Sequence, residues 1–180
     1  MITSFKTFCA LIQRDMTVFK TELFDRIINS MMWIILNAWV FEYLFPLAQA
    51  FSKEYGVFIA CGNIICIGHF EVMQNATNLI GNLEGSQSLS YELTLPLPHW
   101  LVFSRMAVSN TLQAMVMSIA ACISSKLVLW NQFDLTRIHW PWFIAIFIVA
   151  NAFYGFFSLY LASVITSINQ STNIWMRIIY

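Results

Sequence analysis

Residues 142–165, WFIAIFIVANAFYGFFSLYLASVI, contain no charged side chain and form one continuous apolar stretch. A helix needs about 20 mainly apolar residues to cross roughly 30 Å of hydrocarbon, so this stretch is long enough to span a bilayer. Three further apolar stretches precede it, at residues 27–45, 57–80 and 101–123, with short polar segments between them. The sequence therefore predicts an all-α, polytopic membrane protein with four transmembrane helices.

The composition agrees with a membrane protein. Hydrophobic residues make up 59% of the chain and charged residues 10%, whereas soluble domains carry about 25% charged residues. The formal net charge is zero and the basic residues are scattered, which argues against a nucleic-acid-binding surface. No Pro/Ser/Gly-rich tract divides the chain, so residues 27–180 are predicted to form one transmembrane domain.

Residues 1–26 are predicted to form an interfacial amphipathic helix. Apolar side chains recur there at helical spacing and make one stripe: Phe5, Phe8, Cys9, Ile12, Met16, Phe19 and Leu23. Charged and amide side chains occupy most of the remaining positions. A helix with this pattern lies along a membrane surface. The alternative is packing of the stripe on a soluble domain, and the chain offers no other segment that could form one.

The basic residues predict the orientation of the chain. With the N-terminus in the cytosol, the inner side carries Lys6, Arg14, Lys20, Arg26, Arg105 and Arg177, and the outer side carries Lys53, Lys126 and Arg137. Basic residues are enriched on the cytoplasmic side of membrane proteins. The pattern therefore predicts a cytosolic N-terminus and a cytosolic loop at residues 82–98.

This cytosolic loop is the most unusual segment between the spans. Ser86 can cap a short helix in which Leu89 and Leu93 share one face, and Pro96 ends that helix because proline lacks a backbone donor. Leucine side chains that would otherwise be exposed to water favour a contact with another apolar surface. Docking of a partner protein and packing against the ends of neighbouring spans both account for them, and the residues alone do not separate the two.

Polar side chains within the spans are candidates for a transport pathway. The second span becomes polar towards its end through Glu71, Gln74, Asn75, Asn78 and Asn82, which predicts that it extends into water or lines a wet cavity. Asn37 and Asn63 lie at membrane depth in the first two spans and are the candidate substrate-pathway residues. Their alternative role is hydrogen bonding between helices.

A membrane-embedded enzyme is a rival class. The residues in or near the spans that could perform acid–base or metal chemistry are Glu42, His69, Glu71 and His99. Their positions do not predict a common site. His69 and Glu71 are two apart on a helix and therefore point to different faces, while Glu42 and His99 lie at opposite ends of the predicted spans. The four cysteines lie in apolar helical stretches and are interpreted as small apolar side chains. No catalytic site and no metal site is predicted.

Three segments together resemble a known family. They are residues 55–62 (YGVFIACG) at the start of the second span, 84–86 (EGS) in the loop, and 93–97 (LTLPL) at its end. Their order, after an interfacial helix and a first span, resembles the membrane subunit of type 2 ABC exporters. That family has a Tyr/Phe-rich opening of the second span and a cytosolic loop of the form Glu-Gly-Thr, leucine-bearing helix, Ser/Thr-Pro-Leu.

The resemblance implies a permease subunit in the plasma (bacterial inner) membrane that moves a drug, lipid, polysaccharide or other substrate outward. It implies a second permease copy, in a homodimer or heterodimer, and separate ATPase subunits that bind the ATP. The chain has no Gly-x-x-x-x-Gly-Lys-Ser/Thr segment to hold phosphates, so it is predicted to be neither an enzyme nor a cofactor-binding protein. The implied ATPase contacts are Glu84, Gly85, Ser86, Leu89, Tyr91, Glu92, Leu93 and Pro96.

The chain also departs from the family pattern. Cys61 stands where the family often has proline, and Leu95 separates Thr94 from Pro96. The family has six spans, so the chain is expected to be truncated after its fourth span, with residues 174–180 beginning a fifth. This expectation keeps a non-transporting accessory or assembly subunit as the alternative function.

Overall fold

The structure is a computed structural model that describes residues 2–44, 55–86, 93–94, 98–130, 138–165 and 167–179. All its regular elements are helical, and no strand occurs in these residues. In chain order the elements are α1 (Ile2–Trp39) with a π-helical continuation (Val40–Leu44), α2 (Tyr55–Gly81) with a second π-helical continuation (Asn82–Ser86), α3 (His99–Val128), α4 (Trp140–Val164) and α5 (Ile168–Ile179).

Four of these helices are long and apolar enough to cross a membrane. The candidate spans are Lys6–Leu44, Val57–Gly81, His99–Val128 and Trp140–Val164. Large apolar side chains cover their outer surface, and on α4 they include the exposed Trp142, Val149 and Phe156. An apolar outer surface suits lipid rather than water. The all-α, multi-pass membrane architecture predicted from the sequence is confirmed.

The N-terminal segment differs from the expectation in its boundaries. Residues 1–26 and 27–45 were expected to form two separate helices, but α1 continues through residue 26 without a break. No glycine or proline lies between Ile2 and Trp39, so nothing in the backbone chemistry ends the helix there. At about 1.5 Å per residue, α1 is about 57 Å long. One helix thus carries both the amphipathic segment and the first span.

The apolar stripe of the amphipathic segment meets the protein's own core along part of its length. Phe19 is buried and belongs to the first core cluster, and Leu23 packs against the same cluster. The opposite side of the helix presents Val18 and Phe24, which are exposed. Helical periodicity correctly predicted one apolar face, and the face is covered there by α2 and α3. Attachment of the rest of this segment to a membrane surface stays a prediction.

Side-chain contacts fix the relative directions of the helices. Arg105 and Val128 of α3 contact Asp15 and Tyr43 of the first span, so α1 and α3 run parallel. Helix α4 runs antiparallel to α3, because Asn110 bonds to Ser158 while Ser118 bonds to Asn151. We call the end of the bundle at which α1 and α3 begin the polar end.

Two core clusters hold the bundle together. The first joins α1, α2, α3 and the residue that follows α3, and it consists of Phe19, Ile34, Ala60, Ile64, Ile67, Met117, Ala121 and Leu129. The second lies nearer the polar end and joins α2, α3 and α4 through Ala76, Leu79, Ile80, Val102, Ala162 and Ile165. Both consist mainly of aliphatic and small residues, with Phe19 and Met117 added in the first, and the small residues let the helices approach closely.

Helices α3 and α4 approach each other closely at Gly155. A Cβ atom placed on Gly155 would collide with Thr111 Oγ1 and would lie 2.6 Å from the carbonyl oxygen of Ala107. Only glycine leaves room for this contact. Near this contact the side-chain amide of Asn110 donates a hydrogen bond to the hydroxyl of Ser158 at 2.7 Å. The two helices are therefore joined by a hydrogen bond as well as by packing.

Candidate functional site

A buried ion pair connects α1 to α3 near the polar end. Arg105 is 3% exposed, and its Nη1 donates to both carboxylate oxygens of Asp15 at 3.0 and 2.9 Å. The Asp15 side chain is 19% exposed. Arg14 reaches the same carboxylate at 3.2 Å from the solvent side. Asp15 therefore lies between one buried and one exposed guanidinium.

A second ion pair connects α1 to α2. Arg26 Nη1 donates to Glu71 Oε2 at 2.9 Å, and its other nitrogens donate to Glu22 one helical turn earlier. Glu71 is buried. The Arg26 guanidinium also lies 5.5 Å from the centre of the Phe19 ring, a distance at which a cation is attracted to an aromatic face. Arg26 is therefore held by two carboxylates and one ring.

These charges lie within segments that are otherwise apolar enough to span a membrane. Both Arg105 and Glu71 fall inside candidate spans. An ionised side chain that is buried among apolar helices is costly unless it is paired, and such residues usually face the interior of a bundle or a water-filled cavity. The two pairs fit that rule, since each buried charge has an opposite charge within 3 Å. They mark this region as the candidate functional site.

A cavity of about 400 Å³ lies between the helices at the two ion pairs; we call it the polar cavity. Helix α1 and Arg105 of α3 contribute the charged groups, the other polar groups are amides and hydroxyls, and Val18, Phe19, Leu79 and Met106 form the apolar part of the wall. Its lining includes Arg14, Asp15, Glu22, Arg26, Asn75, Asn78, Asn82, Arg105, Ser109, Asn110, Gln113 and Ser158. Such a lining can hold water or a polar ligand, which is unusual for the interior of so apolar a chain.

A second, open depression of about 730 Å³ runs between α1 and α2; we call it the lateral groove. Its acidic lining residues are Glu22, Asp25 and Glu71, and Trp33 and Phe70 line it as well. Arg26 lies in the wall that separates it from the polar cavity, because this residue lines both. The polar end of α2 therefore has cavities on both of its sides.

The polar residues near the end of α2 lie where a wet cavity was predicted. Asn75 and Asn82 line the polar cavity, Gln74 lines the lateral groove and Asn78 lines both. Gln74, Asn78 and Asn82 are also exposed, so a helix end that extends into water and one that lines a cavity both fit these positions. In both cases the second span contributes directly to the candidate site.

Four of the predicted ATPase-contact residues, Glu84, Gly85, Ser86 and Leu93, are described by the structure and follow α2 at the polar end of the bundle. Glu84, Gly85 and Ser86 belong to the π-helical continuation of α2, and Gly85 is exposed. Leu93 is helical and half-buried, and it packs against the second core cluster. At least this leucine is covered in part by the protein's own helices. Leu89, Tyr91, Glu92 and Pro96 lie outside the described residues.

The two candidate pathway residues lie apart from the polar cavity. Asn37 Nδ2 donates to the carbonyl oxygen of Trp33 at 2.9 Å, within its own helix. Asn63 is half-buried, and its Nδ2 has no hydrogen-bond partner among the described residues. Neither asparagine lines the polar cavity or the lateral groove. Their role in a pathway stays a prediction that these cavities do not support.

The residues considered for catalysis have separate surroundings. The His69 ring meets the edge of Tyr154, with centroids 6.4 Å apart. Glu42 is buried in the π-helical continuation of α1, and His99 is exposed at the start of α3. Among the described residues, no three His, Cys, Asp or Glu side chains are close enough to hold a metal ion.

Sequence reasoning counted Arg105 and Arg26 only as markers of orientation and missed their partners. The available signal was an arginine inside an apolar stretch, because such a charge requires a counterion. The partner could not be identified from spacing, since Asp15 precedes Arg105 by 90 positions. Comparison with known proteins adds no further guide: no family model, no curated protein and no solved structure matches the chain.

Proposed function

We propose that this chain is the permease subunit of an ATP-driven ABC exporter, which moves a substrate outward with the help of separate ATPase subunits. The observation that carries the proposal is the polar end of the bundle. There, a polar cavity and two ion pairs, which join α1 to α2 and to α3, adjoin the loop whose motifs resemble the ATPase-binding loop of type 2 exporters. A transport protein needs a polar interior of this kind within an apolar shell.

The loop at residues 82–98 is the proposed docking element. The chain lacks a phosphate-binding loop of its own, so ATP hydrolysis elsewhere can act on it only through a rigid contact. The loop leaves α2 through the π-helical turn at Asn82–Ser86 and returns at Pro98, which accepts a hydrogen bond from Leu101 in the first turn of α3. A displacement of the loop would therefore act on both helices.

The proposed orientation places this loop and the N-terminus in the cytosol, where ATP is available. The basic residues support it, since six lie on the proposed inner side and three on the outer side. The buried pairs of Arg26 and Arg105 lie at the same end. The proposed membrane is the plasma membrane, or the inner membrane of a bacterium.

Cysteine labelling in sealed vesicles tests this orientation. A single cysteine at position 88 is expected to react only with a reagent on the cytosolic side, and one at position 134 only from outside. The native cysteines must first be replaced, because Cys9, Cys61 and Cys66 are exposed. Reaction of position 88 from outside would contradict the proposal, because ATPase subunits could not reach the loop.

A non-transporting accessory subunit is the second candidate. The packing of Leu93 on the second core cluster favours it, because a leucine covered by its own bundle is less available to a partner. This candidate predicts a loop that only closes the end of the bundle. The experiments in the Discussion distinguish the two by whether the loop contacts an ATPase.

A further inference from the structure

We infer that the two buried ion pairs transmit movement of the docking loop to α1. The inference rests on the proposed function and names the residues that would perform the coupling. The loop connects α2 to α3, and each of these helices carries one buried charge, Glu71 on α2 and Arg105 on α3. Both charges pair with the same helix, α1, through Arg26 and Asp15.

The connection on the α3 side is short and well packed. Arg105 lies about 9 Å along the helix from its first residue, His99. Leu101 and Val102, in the turn between them, are buried, and Val102 belongs to the second core cluster. The first two turns of α3 are therefore fixed to the bundle. A displacement of the residues at which the loop enters α3 would therefore move the Arg105 guanidinium by a similar distance.

The connection on the α2 side is longer but continuous. Glu71 lies ten positions before the last residue of α2, Gly81, within the same helix. The intervening residues Val72, Ala76 and Ile80 are buried against neighbouring helices. Arg26 is in turn fixed by Glu22 and by the Phe19 ring. Movement of α2 would therefore shift the middle of α1 rather than one loose side chain.

Ion pairs suit this role because their geometry is more specific than apolar packing. Each pair is at 2.9 Å, and a buried member that lost its partner would be left as an unpaired charge in a poorly hydrated site, which is costly. Apolar contacts between helices can slide past each other more easily. Both pairs also adjoin the polar cavity, since Asp15, Arg105 and Arg26 line it. Movement of α1 would therefore change the shape of that cavity directly.

A distance measurement in the assembled complex with its ATPase tests this inference. Spin labels at Phe24 of α1 and Val149 of α4, both exposed, report the position of α1. In the wild-type chain, trapping the complex with ATP and vanadate is expected to shift this distance. Arg105→Met is expected to reduce the shift while ATP hydrolysis continues, because it removes one of the two links and leaves the Arg26–Glu71 pair in place. Asp15 would keep Arg14 as a partner in that variant, so the change removes the link without leaving the carboxylate alone.

Three controls separate coupling from folding. Arg105→Lys keeps a cation for Asp15 and is expected to retain the shift, as is the charge exchange Asp15→Arg with Arg105→Asp. Arg14→Met removes an exposed arginine, and this variant is also expected to retain the distance shift. If Arg105→Met fails to assemble, Arg105→Gln replaces it with the same expected reduction.

Two results would overturn the inference while the proposed function stands. One is an undiminished shift in Arg105→Met, and the other is ATP hydrolysis by the wild-type complex without any shift of α1. A wild-type chain that binds no ATPase would instead overturn the proposed function, and the inference with it.

Discussion

Leu89→Asp combined with Tyr91→Asp is expected to remove the ATPase subunit from the purified complex. In the proposed function these two side chains are apolar anchors of the docking contact, and each contributes about 1.5–3 kcal/mol when buried. Losing both would weaken the contact by about 3 kcal/mol or more, which corresponds to at least about a hundredfold in affinity. Leu93 is left unchanged, because it packs against the second core cluster and its replacement would disturb the bundle.

The matched control is Ser88→Asp combined with Ser90→Asp. It adds the same two negative charges to the same loop but leaves the apolar anchors in place. We expect the control to retain the ATPase, since exposed charges usually contribute only about 0–1 kcal/mol. The measurement is the amount of ATPase that copurifies with an affinity-tagged chain. Equal retention by both variants would favour the accessory-subunit candidate.

Asp15→Ala is expected to destabilise the folded bundle strongly. Arg105 is 3% exposed and directs two hydrogen bonds to Asp15, so the substitution would remove the carboxylate from a buried guanidinium. Breaking a buried pair in this way typically costs about 3–5 kcal/mol. Because the Asp15 side chain is 19% exposed, water can replace part of the interaction. We therefore expect about 3 kcal/mol, seen as a lower thermal unfolding temperature in detergent.

Arg14→Ala serves as the control, because Arg14 contacts the same Asp15 carboxylate from the solvent side. Its side chain is 53% exposed, and an exposed pair usually contributes no more than about 1 kcal/mol. We expect its unfolding temperature to stay close to that of the wild type. A similar small effect of both substitutions would show that the Asp15–Arg105 pair contributes little to the fold.

The spans could be predicted from the sequence because their signal is local. The length and composition of an apolar stretch are enough to predict that it spans a bilayer. All four predicted stretches lie within candidate spans, apart from a terminal residue or two. The helix ends were less accurate. Helix α3 extends from His99 to Val128 rather than from 101 to 123, because polar residues continue a helix beyond the apolar section that defines the span.

The surroundings of α1 could not be predicted, because they depend on tertiary contacts. The periodicity of the N-terminal segment predicted an apolar face, but the residues that cover Phe19 come from distant parts of the chain. The same limit applies to the candidate site. Each ion pair joins residues 45 or 90 positions apart. Amphipathic spacing indicates that a face is buried and gives no information about its partner.

The polar end of α2 is an intermediate case. The run of polar residues after Glu71 predicted a helix end that extends into water or lines a wet cavity, since such residues are costly against lipid. The amides that complete the polar cavity, including Asn110 on α3, gave no comparable signal. They are spaced among apolar residues of a helix that is buried on several sides, so their direction becomes clear only when the helices pack.

The most direct test of the proposed permease is photocrosslinking from the docking loop in living cells. A photoreactive amino acid at position 89 would capture the protein that contacts the loop, and the same group at the exposed Trp130, at the opposite end of the bundle, serves as the control. The proposal predicts that position 89, but not position 130, crosslinks to a protein carrying the Gly-x-x-x-x-Gly-Lys-Ser/Thr nucleotide-binding segment. Crosslinks from position 89 only to this chain itself, or to proteins without that segment, would contradict it.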